Sequence, residues 1–304
     1  MAVSDRASLT RFAWLAVAAA VLTIALKSGA YLITGSVGLL SDAIESLVNL
    51  AGALMAMAML TVAARPPDED HAYGHTKAEY FSSVVEGSLI LVAALSIATA
   101  AVHRLARPQP IEQAGLGIAI SIVAMGINLA AALVVLRAGR QYRSVTLEAD
   151  AHHLLADVWT SAGVISGIAI VKSTGWQPLD PIVGFLIAGN IIRTGYRIIS
   201  ESVSGLMDSA LPAEDQDTLR STLAKYHTSG AQFHALRTRR AGPRRFVSMH
   251  VLVPGDWTVQ RGHELLERIE GDLRAALPDA AVFTHLEAIE DPASYDDVEF
   301  DRGA

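Results

Sequence analysis

Long apolar stretches dominate the first two hundred residues of this 304-residue chain. A helix that crosses a bilayer needs roughly 20 consecutive, mostly apolar residues. The sequence offers six such stretches, which loops rich in proline, glycine or charge separate. Their approximate limits are 12–33, 37–63, 79–102, 114–138, 147–172 and 179–200. The first is too long for the apolar core of a signal peptide and ends without a cleavage motif. We therefore predict a six-helix transmembrane bundle over residues 1–207.

Basic residues in the intervening loops predict the orientation, because cytoplasmic loops are enriched in lysine and arginine. An even number of spans places both chain ends on the same side of the membrane. The loops on that side carry Arg6, Arg11, Arg65, Lys77, Arg137, Arg140 and Arg143, and the opposite loops carry Arg104, Arg107 and Lys172. We therefore expect a multi-pass membrane protein with both termini in the cytoplasm.

The pattern changes after residue 207, where charged residues accumulate. The predicted elements are a helix over 213–226, strands over 233–240 and 244–253, a helix over 258–277 and a strand over 281–288. Within 244–253, Val247, Met249 and Val251 alternate with Ser248 and His250, which is typical of a half-buried strand. The order αββαβ predicts a small α/β domain over residues 208–291, followed by an acidic, disordered tail over 292–304.

Composition excludes several kinds of function. The chain contains no cysteine, so disulfides and thiolate metal ligands are excluded, and any metal site must use imidazole, carboxylate, amide or water. The net charge of −7 is small and spread out, which does not favour nucleic-acid binding. The sequence has no HExxH motif and no other arrangement that would activate a nucleophile, so we do not expect an enzyme.

Ionisable groups inside spanning helices are costly and are therefore candidates for function. Glu45 and Asn49 lie four residues apart in the second stretch, and His153 and Asp157 lie four apart in the fifth. Residues at this spacing project from one face of a helix. Two such faces brought together would present four nitrogen and oxygen ligands, which suits a tetrahedral divalent ion. The alternative is that these side chains only form hydrogen bonds between helices.

Two further groups contain residue types that ligate metals. The loop after the second stretch carries Asp68, His71 and His75, for which a solvated polar turn is the alternative. The soluble domain carries His234, His250, His263 and His285, together with Glu287 on the strand face of His285. A helix-contact role is expected for several other polar residues of the spans, namely Lys27, Glu86, Asn128, His152 and Asn190.

Four segments of the chain carry a family resemblance. They are 35–49 (GSVGLLSDAIESLVN), 73–79 (YGHTKAE), 150–157 (DAHHLLAD) and 236–243 (LRTRRAGP). In order and spacing, the chain resembles the cation diffusion facilitators, and specifically the bacterial zinc and ferrous-iron exporters of that family, over almost its whole length.

The resemblance implies a homodimer in the lipid bilayer, with six helices and a metallochaperone-like cytoplasmic domain in each protomer. It implies exchange of a divalent metal for protons, with Zn²⁺ as the foremost substrate, Fe²⁺, Co²⁺ or Cd²⁺ as others, and no organic cofactor. The implied sites are a transport site (Glu45, Asn49, His153, Asp157), a loop site (Asp68, His71, His75) and a cytoplasmic site at the dimer interface (His234, His250, His263, His285, Glu287). Lys77 and Asp208 match a charge pair that holds such dimers together.

The chain departs from the family pattern in the second span, where the usual pair is Asp/Asp or His/Asp and this chain has Glu45 and Asn49. Glu45 and Asp157 still give the predicted site a charge of −2. An imidazole from His153 favours zinc, iron or cobalt over manganese. We therefore expect a proton-coupled divalent-metal exporter. The alternative is a non-transporting regulatory or metal-sensing member of the family.

Overall fold

The computed structural model describes residues 9–34, 37–106, 114–174, 179–227 and 230–296. Within the described part, the first two hundred residues form six long helices, as predicted. They are α1 (Thr10–Thr34), α2 (Val37–Ala63), α3 (Ala78–Ala106), α4 (Ala114–Tyr142), α5 (Val145–Thr174) and α6 (Leu179–Leu206). Three described stretches are long and apolar enough to cross a membrane by length and composition: Thr10–Gly29, Ala78–His103 and Ile122–Tyr142.

Small residues allow close packing of these helices, as is common in membrane domains. Helix α1 packs against α2 and α4, and α5 packs against α3 and α4. Where α3 crosses α6, a Cβ atom added to Gly87 would lie 3.2 Å from the carbonyl oxygen of Gly195 and 2.7 Å from the side chain of Ile199. The two backbones therefore approach at a distance that only glycine permits.

A buried carboxylate joins the start of α3 to the start of α5. The Ser144 hydroxyl donates a 2.6 Å hydrogen bond to Glu79 Oε2, and the Thr146 hydroxyl donates one of 3.0 Å to the Glu79 carbonyl oxygen. All three residues are buried. Because Ser144 also accepts a hydrogen bond from the backbone N–H of Leu147, it caps α5 while it holds α3. This contact sets the two helices side by side.

The chain divides into two compact units at Val203 and Ser204, just before the end of α6. The second unit contains α7 (Ala213–Ala224), β1 (Gln232–Ala241), β2 (Arg244–Val253), α8 (Val259–Ala276) and β3 (Ala280–Ala288). This is the predicted αββαβ order. The sheet order is β1-β2-β3, with β1 antiparallel and β3 parallel to β2.

One face of this sheet forms the hydrophobic core of the second unit. Val247, Met249 and Val251 of β2 pack there with apolar residues of α7 and α8, such as Leu219 and Ile269. Alternate residues of β2 therefore face away from the core, as the alternation of the sequence predicts. His250 is one of them, and it is only partly buried.

The predicted disordered tail begins too early. Pro292–Tyr295 forms a short 3₁₀ helix that Asp291 caps by accepting a hydrogen bond from the Ala293 N–H. The buried Ser294 donates to the Ala288 carbonyl oxygen at 2.8 Å, and the Tyr295 hydroxyl donates to that of Ile289 at 3.1 Å. The prediction is therefore wrong for these residues, because local capping outweighs acidic composition. Residues 297–304 lie outside the described part of the chain.

Replacing Glu79 should destabilise the membrane unit. The change Glu79→Ala leaves the buried Ser144 hydroxyl without its acceptor, which costs about 1–3 kcal/mol. We expect a lower midpoint of thermal unfolding for the purified, detergent-solubilised chain. Glu69→Ala, at an exposed loop position, is the matched control and should leave the midpoint unchanged. Equal midpoints for both variants would show that this contact does not stabilise the fold.

Candidate metal sites

Two of the four predicted transport-site residues are buried on α5. His153 is 3% and Asp157 is 6% exposed, and both lie within the helical unit. The side chains of Glu45 and Asn49 lie outside the described part of the structure. Their positions fall on one face of α2, which contacts α5. The four-ligand site therefore stays a prediction, with half of its side chains placed.

Two polar residues that we expected only to serve helix contacts lie beside these ligands. The amide nitrogen of Asn128, on α4, lies 3.4 Å from Asp157 Oδ2 and donates to it. A carboxylate oxygen of Glu86, on α3, lies 3.6 Å from His153 Nδ1. Both residues are buried. Both residues do form contacts between helices, as expected, and in each case the partner is a predicted ligand.

A signal for Glu86 is present in the sequence. It is a carboxylate within an apolar segment, Ala78–His103, and carboxylates at such positions are rare and functional by default. Pairs four residues apart on one helix are easy to recognise in a sequence. Glu86 has no such partner within its own helix, and only the packing of α3 against α5 reveals its neighbour.

The loop between α2 and α3 brings its three predicted ligands together. Asp68 Oδ1 lies 3.1 Å from His71 Nδ1, and Asp68 Oδ2 lies 3.2 Å from His75 Nε2. The two imidazole rings have centroids 4.4 Å apart. Gly74 has φ 83°, a conformation that glycine adopts without strain, and its N–H donates to the His71 carbonyl oxygen at 2.8 Å. One ligand atom from each of the three residues lies within 4.8 Å of the others, so the group could hold one ion.

The Asp68 carboxylate is held in its ionised form. Desolvation raises its pKa, but hydrogen bonds from the backbone and ring of His71, with the charges of His75 and His71, lower it, and the net pKa is below the ordinary value. The Asp68 carboxylate therefore stays ionised, and paired with the histidines, until the pH falls below that lowered pKa. Above it, protons compete with a metal ion at the two imidazoles rather than at the carboxylate.

Strand register builds the cytoplasmic cluster. His234 of β1 lies opposite His250 of β2, and His250 lies beside His285 of β3. Three imidazoles thus form one row across the sheet, on the face away from the hydrophobic core. The register of β1 shifts between His234 and Arg237, where Ala235 has φ 49°. Such a bulge re-aims the side chains next to it.

Glu287 lies at the centre of this row. One of its carboxylate oxygens lies 2.8 Å from His234 Nε2, and the other lies 3.1 Å from His250 Nδ1 and 3.3 Å from His285 Nδ1. The Glu287 side chain is 8% exposed, whereas that of His285 is 62% exposed. Ligand atoms of His234, His250 and Glu287 lie within 4.8 Å of one another. A zinc ion could replace the direct contacts between them, since zinc binds both imidazole and carboxylate.

Three further predicted residues are placed apart from these clusters. His263 is exposed on α8 and is not among the described residues grouped around Glu287. Asp208 Oδ1 accepts a 3.2 Å hydrogen bond from Arg239 Nη1 within the second unit. Asp208 also has φ 59°, at the turn that follows α6. Lys77 lies just before α3 in the first unit, and its pairing with Asp208 stays a prediction.

Removing the Glu287 carboxylate should weaken zinc binding. In the full-length chain, Glu287→Gln should lower zinc affinity at this cluster by at least about tenfold. Binding to the wild type should also weaken as the pH falls, because protons compete with zinc for the imidazole nitrogens. Titration calorimetry with zinc measures both effects. Glu267→Gln, the same change at an exposed position of α8, is the control. Identical titrations for the two variants would show that Glu287 does not contribute to zinc binding.

Comparison with known proteins relates this geometry to a family. Residues 13–207 match the family model of the cation efflux transmembrane domain. Residues 211–289 match the family model of the cation efflux protein, cytoplasmic domain. An uncharacterized transporter of Synechocystis sp. is 49% identical over 93% of this chain and 92% of its own length. The cation-efflux pump FieF of Klebsiella pneumoniae is 29% identical over 94% of this chain and 93% of its own length.

Among solved structures, the metal-bound C-terminal domain of the CzcD transporter from Thermotoga maritima is 25% identical, with a TM-score of 0.25. The match covers 26% of this chain and 92% of that one. The match to the transmembrane family model alone spans well over half of the chain, and the match to the cytoplasmic one follows it in the order that the fold requires. The chain therefore belongs to the cation efflux, or cation diffusion facilitator, family of membrane transporters.

Proposed function

We propose that this chain exports divalent transition-metal ions in exchange for protons, with zinc as its main substrate. The observation that carries the proposal is the His153–Asp157 pair, which is buried on one face of α5 in the transmembrane domain. An imidazole and a carboxylate at this spacing suit zinc, and also iron, cobalt or cadmium. Glu45 and Asn49 of α2 are proposed to complete the site.

Proton coupling follows from ligand chemistry. Imidazole and carboxylate groups bind a metal ion only when they are deprotonated, so binding releases protons and rebinding of protons favours release of the metal. His153 is the proposed coupling group, because an imidazole nitrogen can hold either a metal ion or a proton. The Asn128 amide donates to Asp157 and thereby orients one carboxylate oxygen toward α4.

We propose that the protein acts as a homodimer in the inner membrane, with both termini in the cytoplasm. The cytoplasmic cluster around Glu287 would bind zinc as a structural ion and support assembly through the second unit. His263 and the Lys77–Asp208 pair would contribute at the interface between protomers. Reporter fusions at Ala304 and in the loop near Trp176 would test the topology by reporting opposite sides of the membrane.

Loss of the Asp157 carboxylate should abolish transport. The change Asp157→Ala removes one of two proposed charges and one ligand oxygen, which neighbouring groups cannot replace in a low-dielectric site. Initial zinc uptake into proteoliposomes should fall to background while the protein remains folded. Asp217→Ala, at an exposed position of α7, is the control and should transport like the wild type. Wild-type uptake by Asp157→Ala would falsify the assignment of the site.

Restoring a carboxylate on α2 should alter metal selectivity. Asn49→Asp raises the proposed charge of the site from −2 to −3. We expect tighter binding, slower release and a gain for manganese relative to zinc, since manganese prefers oxygen ligands. The ratio of initial uptake rates for the two ions, at two proton gradients, measures this effect. An unchanged ratio would place Asn49 outside the ligand shell.

The departure at Glu45 and Asn49 also favours a second candidate function, in which the protein senses metal without transporting it. The cytoplasmic cluster would then be the functional site and the membrane unit an anchor. Proteoliposomes distinguish the two functions directly. A wild-type protein that binds zinc but moves none would be a sensor.

A further inference from the structure

Glu86 is a buried carboxylate whose environment does not compensate its charge. The residue is 0% exposed and lies about two turns after the start of α3. Neither of its carboxylate oxygens takes part in a hydrogen bond within the part of the chain that the structure describes. Burying a carboxylate without such partners is costly, and the cost is usually offset by a paired charge or by a metal ion. Without such partners, a carboxylate at this position is stable only when it holds a proton or a metal cation.

The geometry beside Glu86 fits a metal ion. Glu86 Oε2 lies 3.6 Å from His153 Nδ1, beyond a good hydrogen bond. Two ligand atoms that each lie ~2.1 Å from a tetrahedral zinc ion are separated by about 3.4 Å. The carboxylate and the imidazole are thus close to the separation at which both would bind one ion. Asp150 and Asp157 lie one turn to either side of His153 on α5. Their carboxylates repel that of Glu86, and a cation would reduce this repulsion.

A glycine on α2 makes room for this carboxylate. A Cβ atom added to Gly52 would lie 2.9 Å from Glu86 Oε1 and 3.0 Å from Glu86 Oε2. Gly52 is seven residues, or about two helical turns, after Glu45, and therefore lies on nearly the same face of α2. The Glu86 carboxylate accordingly lies where α2, α3 and α5 meet, against the helix face that carries the predicted ligand positions 45 and 49.

We propose that Glu86 is a further ligand of the transported ion and shares it with His153. This inference rests on the proposed transport function and deepens it, because it adds a helix to the site. An ion at this position would be held by α3 as well as by α5, so that its arrival and departure would bias the packing of the two helices. A bound divalent cation also supplies a positive charge beside the buried carboxylate.

The experiment compares two conservative changes in one helix. Glu86→Gln keeps the shape and removes the charge, and we expect the KM for zinc uptake into proteoliposomes to rise about 10- to 100-fold. The uptake ratio of manganese to zinc should fall, since a charged carboxylate ligand becomes a neutral amide. Glu79→Gln, the same change at the Ser144 contact, is the control: it should lower thermal stability and leave the KM and the ratio unchanged. A wild-type KM and ratio in Glu86→Gln would overturn the proposal.

A binding measurement separates this proposal from the transport function. Co²⁺ is bound to the full-length chain carrying Asp68→Ala and Glu287→Ala, which removes one ligand from each of the other two clusters. In that background, Glu86→Gln should shift the visible absorption of Co²⁺ and weaken its binding about 10- to 100-fold. An unchanged spectrum and affinity would overturn the role of Glu86 even if transport were confirmed. If the wild type moves no zinc, the transport function fails, and the spectrum still decides whether Glu86 is a ligand.

Glycine variants test the position of the carboxylate without changing it. Gly52→Ala should push the Glu86 carboxylate aside and reproduce the higher KM. Gly126→Ala, in α4, adds a methyl group where no atom lies within 4 Å, and it should transport like the wild type. Equal KM values for the two glycine variants would show that the place of the carboxylate against α2 has no part in binding.

Discussion

The cost of a charge inside a helix bundle governs the transmembrane domain. An apolar surround offers little solvation, so every ionisable group needs a partner on a neighbouring helix. Glu79 meets this need with the Ser144 hydroxyl, and the result is a structural tie between α3 and α5. Glu86, two turns further along α3, faces His153 without a hydrogen bond. Among the described residues, α3 thus carries one carboxylate with a hydrogen bond where the fold is fixed, and one without such a bond beside the proposed ion site.

In the cytoplasmic domain, the pairing of the strands positions the predicted metal ligands. Because His234, His250 and His285 occupy adjacent positions of three paired strands, the sheet itself fixes the spacing of the imidazoles. A carboxylate oxygen of Glu287 lies within 3.3 Å of a ring nitrogen of each of them, which helps to orient the three rings. A site built on strands is held more rigidly than one on a loop. This rigidity suits an ion that stays bound and supports the structure.

Sequence reasoning could predict what depends on short-range periodicity. The six helices and the αββαβ order follow from apolar runs and from the alternation around His250, and the structure confirms both. The contact between Glu86 and His153 could not be predicted, because it depends on how α3 packs against α5. The bulge after His234 is also invisible in the sequence, since no glycine marks the positive φ of Ala235. The 3₁₀ helix at Pro292 was not predicted, because the residues after Asp291 were interpreted as an acidic tail and Asp291 was not recognised as a helix cap.

The loop group and the buried His153–Glu86 pair differ in their exposure to solvent. Asp68 and His71 are more than half exposed, so water and salt screen their attraction for a cation, and an ion there should exchange rapidly. His153 and Glu86 are almost fully buried, so their attraction is screened much less and an ion must lose its water to reach them. We therefore propose that selectivity resides at this buried pair, where the match between ion and donor atoms must offset the cost of dehydration. The loop can then increase the local supply of ions without deciding which of them is carried.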